Sequence, residues 1–156
     1  MSKLFIMSGP AGCGKSTWAQ NYINEHPECR WVSRDKIRFS FLNDGDHYFD
    51  HEDDVYAEFC RAIKYHLSLG EDVIADATHL SERARKLLLK TIEYPLKPED
   101  IVVVYFQIPL NIILERNAQR TGRACVPVSV IRKMYYSHTD PAKDKIKYGK
   151  IIKVKE

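Results

Sequence analysis

The chain has 156 residues, 44% hydrophobic and 29% charged, with a formal net charge of +3. This suits one soluble domain and permits an acidic ligand without demanding a polyanion. No run approaches the ~20 apolar residues of a membrane span, and Gly9 and Pro10 end the first apolar run too early for a signal peptide, so a cytoplasmic location is expected. Cys13, Cys29, Cys60 and Cys125 form no CxxC pair, which argues against zinc and predicts free thiols.

In chain order, Lys3 to Ser8 reads as a short apolar strand, followed by a Gly-rich turn and a helix over about Lys15 to Glu25 that Pro27 stops. Trp31 to Ser33 is a second strand leading into a helical turn at Asp35 to Phe41. The polar segment Asn43 to Asp50 is a loop. Val55, Phe59, Ala62, Ile63 and His66 recur at helical spacing, closed by Gly70. Asp72 to Ala75 is a third strand, and Ala84, Leu87, Leu88 and Ile92 mark a helix. The apolar run Ile101 to Ile108 predicts a strand buried on both faces. Leu110 to Arg120 is a helix, Pro127 starts another with Val130, Ile131 and Met134 inside, and Lys150 to Val154 is a last short strand. Strands alternating with helices predict an α/β fold, a parallel sheet covered on both faces, with ligands beyond the C-terminal ends of the strands. No linker divides the chain, so residues 1–156 read as one domain.

Gly9 to Ser16, GPAGCGKS, matches the Walker A pattern, and Thr17 extends it. Gly9, Gly12 and Gly14 let the backbone turn tightly and approach phosphate oxygens, and the next helix points its positive end at them. Lys15 reaches the β- and γ-phosphates, Ser16 offers a hydroxyl to magnesium, and Thr17 lies near the α-phosphate. Cys13 holds a variable position of the loop. A chance Gly-rich turn would not be expected directly between a strand and a helix. The motif alone gives nucleotide binding without choosing between kinase, GTPase and ATPase.

The second strand runs into SRDKIR, where Asp35 and Arg38, three apart, share a helix face. A carboxylate there accepts a hydroxyl proton, and a guanidinium there grips a phosphate. The plainer reading is a helix-capping aspartate and a surface arginine. The third strand ends in Asp76, placed to hold magnesium or its water shell, with Thr78 on the following loop facing the acceptor. His79 reads as a plain loop residue. Arg116 and Arg120, four apart, fall on one helix face. Arg123 lies between Gly122 and Pro127, so the segment 116–127 reads as a basic lid. Its plainer reading is a solvated basic face.

GPAGCGKSTWA (Gly9 to Ala19), SRDKIR (Ser33 to Arg38), DATHLSERAR (Asp76 to Arg85) and ERNAQRTGRACVPVSVIRKMY (Glu115 to Tyr135) together resemble the kinase domain of phage-type polynucleotide kinases. The resemblance implies a P-loop NTPase fold of the adenylate-kinase-like kind and transfer of the ATP γ-phosphate to a 5′-hydroxyl of DNA or RNA. By it, Lys15 and Ser16 serve ATP and Mg2+, Asp35 is the general base, Arg38 binds the acceptor phosphate, Arg120 is the lid arginine and Asp76 matches the aspartate after the third strand. The RTGRAC segment is one residue longer than the family pattern, which leaves Arg123 as a second candidate for the lid. The family's DxDGT phosphatase motif is missing from this sequence, and whether another protein supplies a phosphatase or ligase stays open. Self-association and the choice between DNA and RNA stay open. The rival reading is a small-molecule kinase acting on a nucleoside, sugar or antibiotic, and Arg38 discriminates, since a small neutral acceptor offers it no phosphate. The sequence has no NKxD motif, which counts against a GTPase switch.

Overall fold

Successive side chains of a strand point to opposite faces, so a strand that is apolar throughout needs cover on both. The computed structural model describes residues 2–155, the side chain of Arg123 excepted. In it, β1 (Leu4–Ser8) and β3 (Val73–Asp76) are buried along their whole length, and β4 (Ile101–Phe106) everywhere but Tyr105. These three form the centre of a five-stranded parallel sheet of order β2-β3-β1-β4-β5. β2 (Arg30–Ser33) and β5 (Lys150–Val154) are its half-exposed edges.

The alternation sorts the core into two layers. Leu4, Ile6, Val73, Ala75, Ile101 and Val103 pack on one face against Phe59, Ile63 and Leu67 of α3 (Glu52–Ser68) and Leu88 and Ile92 of α4 (Glu82–Ile92). Phe5, Met7, Ile74, Val102, Val104 and Phe106 pack on the other against Ala19 of α1 (Lys15–Glu25), Ile113 of α5 (Leu110–Ala118) and Ile131 of α6 (Val128–Ser137). The remaining helix, α2 (Arg34–Phe41), continues straight from β2 and is capped by the Ser33 hydroxyl, which accepts from the Lys36 N–H. Among the described residues no helix is long and apolar enough to cross a membrane.

Most boundaries fall within a residue or two of expectation. The difference with a consequence is at α5, which stops at Ala118, two residues short of Arg120. The Asn117 side chain causes this: its Nδ2 donates to the Val126 carbonyl (2.6 Å) and its Oδ1 accepts from the Val126 N–H (3.0 Å). This strand-like pair draws the chain away while the last turn tightens, Gln119 N–H bonding back to Arg116 and Arg120 N–H to Asn117.

Below the end of β1 lies a buried polar network. Arg85 of α4, fully buried, forks onto Asp144 (Nε to Oδ2 2.7 Å, Nη2 to Oδ1 2.8 Å) and also donates to Thr139 Oγ1 and the His79 carbonyl. Tyr148 donates to Asp144 (2.5 Å), and Ser8, the last residue of β1, donates to the His79 carbonyl (2.8 Å) and meets His138 Nε2 (2.9 Å). His79 is no plain loop residue. It sits at φ 38°, the residue 5% exposed and its Nδ1 2.8 Å from the Met7 carbonyl, so Nδ1 carries the proton.

Burial holds the His79 pKa down to about 4, and burial likewise lowers His138. A histidine whose folded pKa lies below its unfolded value stabilises the fold fully above about 6.5, and that stability is lost as the pH falls toward 4. At pH ~5 the loss from His79 is about 2 kcal/mol. Asp76, its pKa pushed up by burial, works in the opposite direction. The denaturation midpoint of the wild type will therefore fall between pH 7 and 5 more steeply than that of His79→Gln. Parallel pH profiles would rule the effect out.

Candidate functional site

The loop between β1 and α1 is built by two glycines at positive φ, Gly12 (87°) and Gly14 (103°). Gly9 is needed for a different reason: a Cβ there would lie 2.6 Å from Cys13 Sγ and 2.9 Å from Phe106 Cβ. Gly14 begins α1 without a side-chain cap, so the first N–H groups of the helix remain for a bound anion. Lys15 Nζ donates to the Gly9 and Pro10 carbonyls (2.9 Å each) and touches Cys13 Sγ at 3.9 Å, a weak contact that a phosphate oxygen would displace. Cys13 itself is buried in the core, and burial pushes the pKa of its thiol up against the pull of Lys15.

Two cavities flank the loop, sharing Gly12, Lys15, Ser16 and Arg120. One, of about 520 Å³, is lined by Thr17, Trp18, Asn21, Phe106, Ile108 and Arg116. The other, of about 610 Å³, contains Asp35, Arg38, Asp76 and Thr78. A phosphate chain in the loop would thus have room for a base on one side and an acceptor on the other.

Asp35 lies in the first turn of α2, its side chain 56% exposed, and Oδ1 accepts from Arg38 Nη1 and from Tyr48 Oη (2.8 Å). Both bonds go to Oδ1 and neither to Oδ2. Arg38 is not a surface residue: it is 6% exposed, and its Nε and Nη2 fork onto both oxygens of Glu52 (2.9 and 2.6 Å). Arg34 adds a third contact to Glu52 (2.8 Å). Burial raises the Glu52 pKa, but the bonds and charge of Arg38, with Arg34, outweigh it and hold the carboxyl below its ordinary value. An acceptor phosphate would have to approach Arg38 from the Nη1 side, in competition with Asp35 and Tyr48.

Asp76 ends β3 at 7% exposure, and burial pushes its pKa up despite Lys15 and a hydrogen bond from Trp31 Nε1 (2.9 Å). A buried carboxylate of this kind fits a cation beside it. No group of three or more His, Cys, Asp or Glu suited to a metal occurs among the described residues. The Asp76 carboxylate and the Ser16 hydroxyl line one cavity, a pair that would suit magnesium held mainly by phosphates and water and not by a protein cage.

The arginines part company. Arg116 stays on α5 and donates to the Cys13 carbonyl (3.1 Å) behind the loop. Arg120 lies beyond the helix and lines both cavities, with its Nη1 3.5 Å from the Ala124 carbonyl. They therefore do not share one helix face, and a lid could begin only after Ala118, not at Arg116. The Arg123 side chain lies outside the described residues.

Residues 4–141 match the AAA domain family. This chain belongs to that family. The AAA domain here has the fold of the P-loop kinases, and its loop is a nucleotide-binding one. A chain in the structure of the Pnkp1/Rnl/Hen1 RNA repair complex is 26% identical with a TM-score of 0.73. The match covers 87% of this chain and 43% of that one, so the AAA domain spans less than half of its length. A fungal RNA kinase is 16% identical (TM-score 0.69, covering 98% of this chain and 38% of that one). A gluconokinase from Sinorhizobium meliloti 1021 is 18% identical (TM-score 0.62, 98% and 82%). The last two likenesses are of fold alone. Around the AAA loop, the sequence reading missed Glu52, Tyr48, Phe49 and Arg34. Glu52 is 14 residues from Arg38, and a charged residue in the first turn of a helix is too common to mark a partner.

Proposed function

We propose that this AAA domain is an ATP-dependent polynucleotide 5′-hydroxyl kinase, on one observation above the rest. Asp35 and Arg38 meet in the cavity that also contains Lys15 and Asp76, so a base and a phosphate grip adjoin the phosphate loop. The acceptor oxygen attacks the γ-phosphorus in line, the bond to the β–γ bridging oxygen breaks, and ADP leaves. Asp35 Oδ2 takes the hydroxyl proton. Lys15 and Arg120 stabilise the charge that develops on the transferring group. Magnesium, when bound, neutralises phosphate charge, and Ser16 and Asp76 would hold it. The base of ATP would lie in the second cavity near Trp18 and Arg116, with Thr78 on the acceptor side. Residues 119–127 would be the lid of a single catalytic domain.

The rival is a small-molecule kinase. The observation in its favour is that the Arg38 fork is already filled by Glu52. Transfer of labelled phosphate from ATP to a panel of 5′-hydroxyl oligonucleotides, nucleoside 3′-phosphates, nucleosides and sugars separates the two. The 3′-phosphorylated acceptors will be the better substrates, and Arg38→Ala will weaken their use about ten- to a hundredfold more than it weakens use of a plain nucleoside, which loses only the support that Arg38 gives Asp35. Preference for a plain nucleoside or a sugar would hand the case to the rival.

A further inference from the structure

The loop between α2 and α3 carries a phenylalanine that the core does not use. Phe49 is 59% exposed, whereas Phe5, Phe59 and Phe106 are almost wholly buried. It lines the same cavity as Lys15 and Asp35. Its ring is nevertheless oriented: Tyr48 meets it edge to face (centroids 4.6 Å, 84°), and the Arg38 guanidinium carbon lies 5.5 Å from its centroid. Tyr48 is fixed in turn by its bond to Asp35 and by Phe39 (6.0 Å, 76°). A chain of contacts from Asp35 through Tyr48 thus sets an exposed aromatic face one ring away from the proposed base.

The cavity carries the charged groups Lys15, Asp35, Arg38, Glu52, Asp76 and Arg120. Phe49 and, from α6, Val130 and Met134 add apolar wall to it. Such a site suits an acceptor with a polar reacting end and a flat, largely apolar body. The hydroxyls of a polyol would find no partners on Phe49, Val130 or Met134 and would lose their hydration. A nucleobase offers a π-face to Phe49 whatever its identity, and it gains most where a neighbouring guanidinium polarises the aromatic wall.

We propose that Phe49 stacks on the base of the acceptor's 5′-terminal nucleotide, a base-binding subsite that is indifferent to sequence. This rests on the polynucleotide kinase reading. The test compares kcat/KM for two single-stranded 5′-hydroxyl oligonucleotides, identical except that one ends in a normal nucleotide and the other in an abasic tetrahydrofuran residue. The wild type will favour the base-bearing end by about ten- to a hundredfold, mainly through KM. Phe49→Ala will bring that ratio close to one, and Phe49→Trp will restore it. Phe49 is at the surface, so neither change threatens the fold. A wild type that uses both ends equally, or a Phe49→Ala variant that keeps the wild-type ratio or loses both activities alike, would overturn the subsite. If the wild type phosphorylates neither oligonucleotide, the subsite falls together with the kinase reading. That outcome is distinct from one in which both ends are phosphorylated and Phe49 is irrelevant.

Discussion

Asp35→Ala will lower turnover with an oligonucleotide acceptor by at least ~10²-fold, the loss typical of a general base, and leave ATP affinity near that of the wild type. Asp35 lies in the first turn of α2 and is absent from the cavity that would take the base of ATP. Alanine also removes a partner of Arg38 and Tyr48, so Asp35→Asn is the sharper variant. Its carbonyl oxygen keeps both of those hydrogen bonds, and only basicity is lost. If the Asn variant matches Ala, the missing function is proton acceptance. If it matches wild type, Asp35 serves to hold Arg38. Lys15→Ala, by contrast, should weaken ATP binding as well as turnover. Single-turnover rates and nucleotide titrations on the three variants decide it, and an Asp35→Ala enzyme with near-normal turnover would end the base assignment.

The largest stability effect will come from Arg85, which is outside the site. Arg85→Met leaves the Asp144 carboxylate, 3% exposed, without its bidentate partner. Breaking a buried ion pair on one side costs roughly 3–5 kcal/mol, a large share of the 5–15 kcal/mol that holds a domain of this kind together. The double variant Arg85→Met, Asp144→Leu removes both charges and should regain much of the loss, because the penalty lies in the uncompensated charge and not in the missing attraction. Urea denaturation measures each. A single variant destabilised by less than about 1 kcal/mol would mean that Asp144 finds water or another partner when Arg85 is gone.

The sheet was legible because its central strands are buried on both faces and so read as unbroken apolar runs, Ile101 to Phe106 most plainly. The phosphate loop was legible because a glycine at positive φ leaves a chemical signature. What failed to show were contacts made across the chain. Spacing placed Arg116 and Arg120 on one face, but the bonds from Asn117 to Val126, nine residues on, end the helix between them. Spacing also brought Asp35 and Arg38 together correctly, yet gave no hint that Glu52 would clamp the arginine from α3. His79 looked like an ordinary loop residue, because its burial depends on the Met7 carbonyl, 72 positions away.

The polar network under β1 also bears on the order in which the molecule can be completed. Ser8 leads directly into the phosphate loop, its bond to Arg85 spans 77 positions, and the bond from Arg85 to Asp144 spans a further 59. Closing such distant contacts carries a loop-entropy cost before any reward, which makes them late events in folding. In a chain synthesised from its N-terminus, the loop that grips phosphate emerges well before Arg85 and Asp144, the residues that complete its foundation.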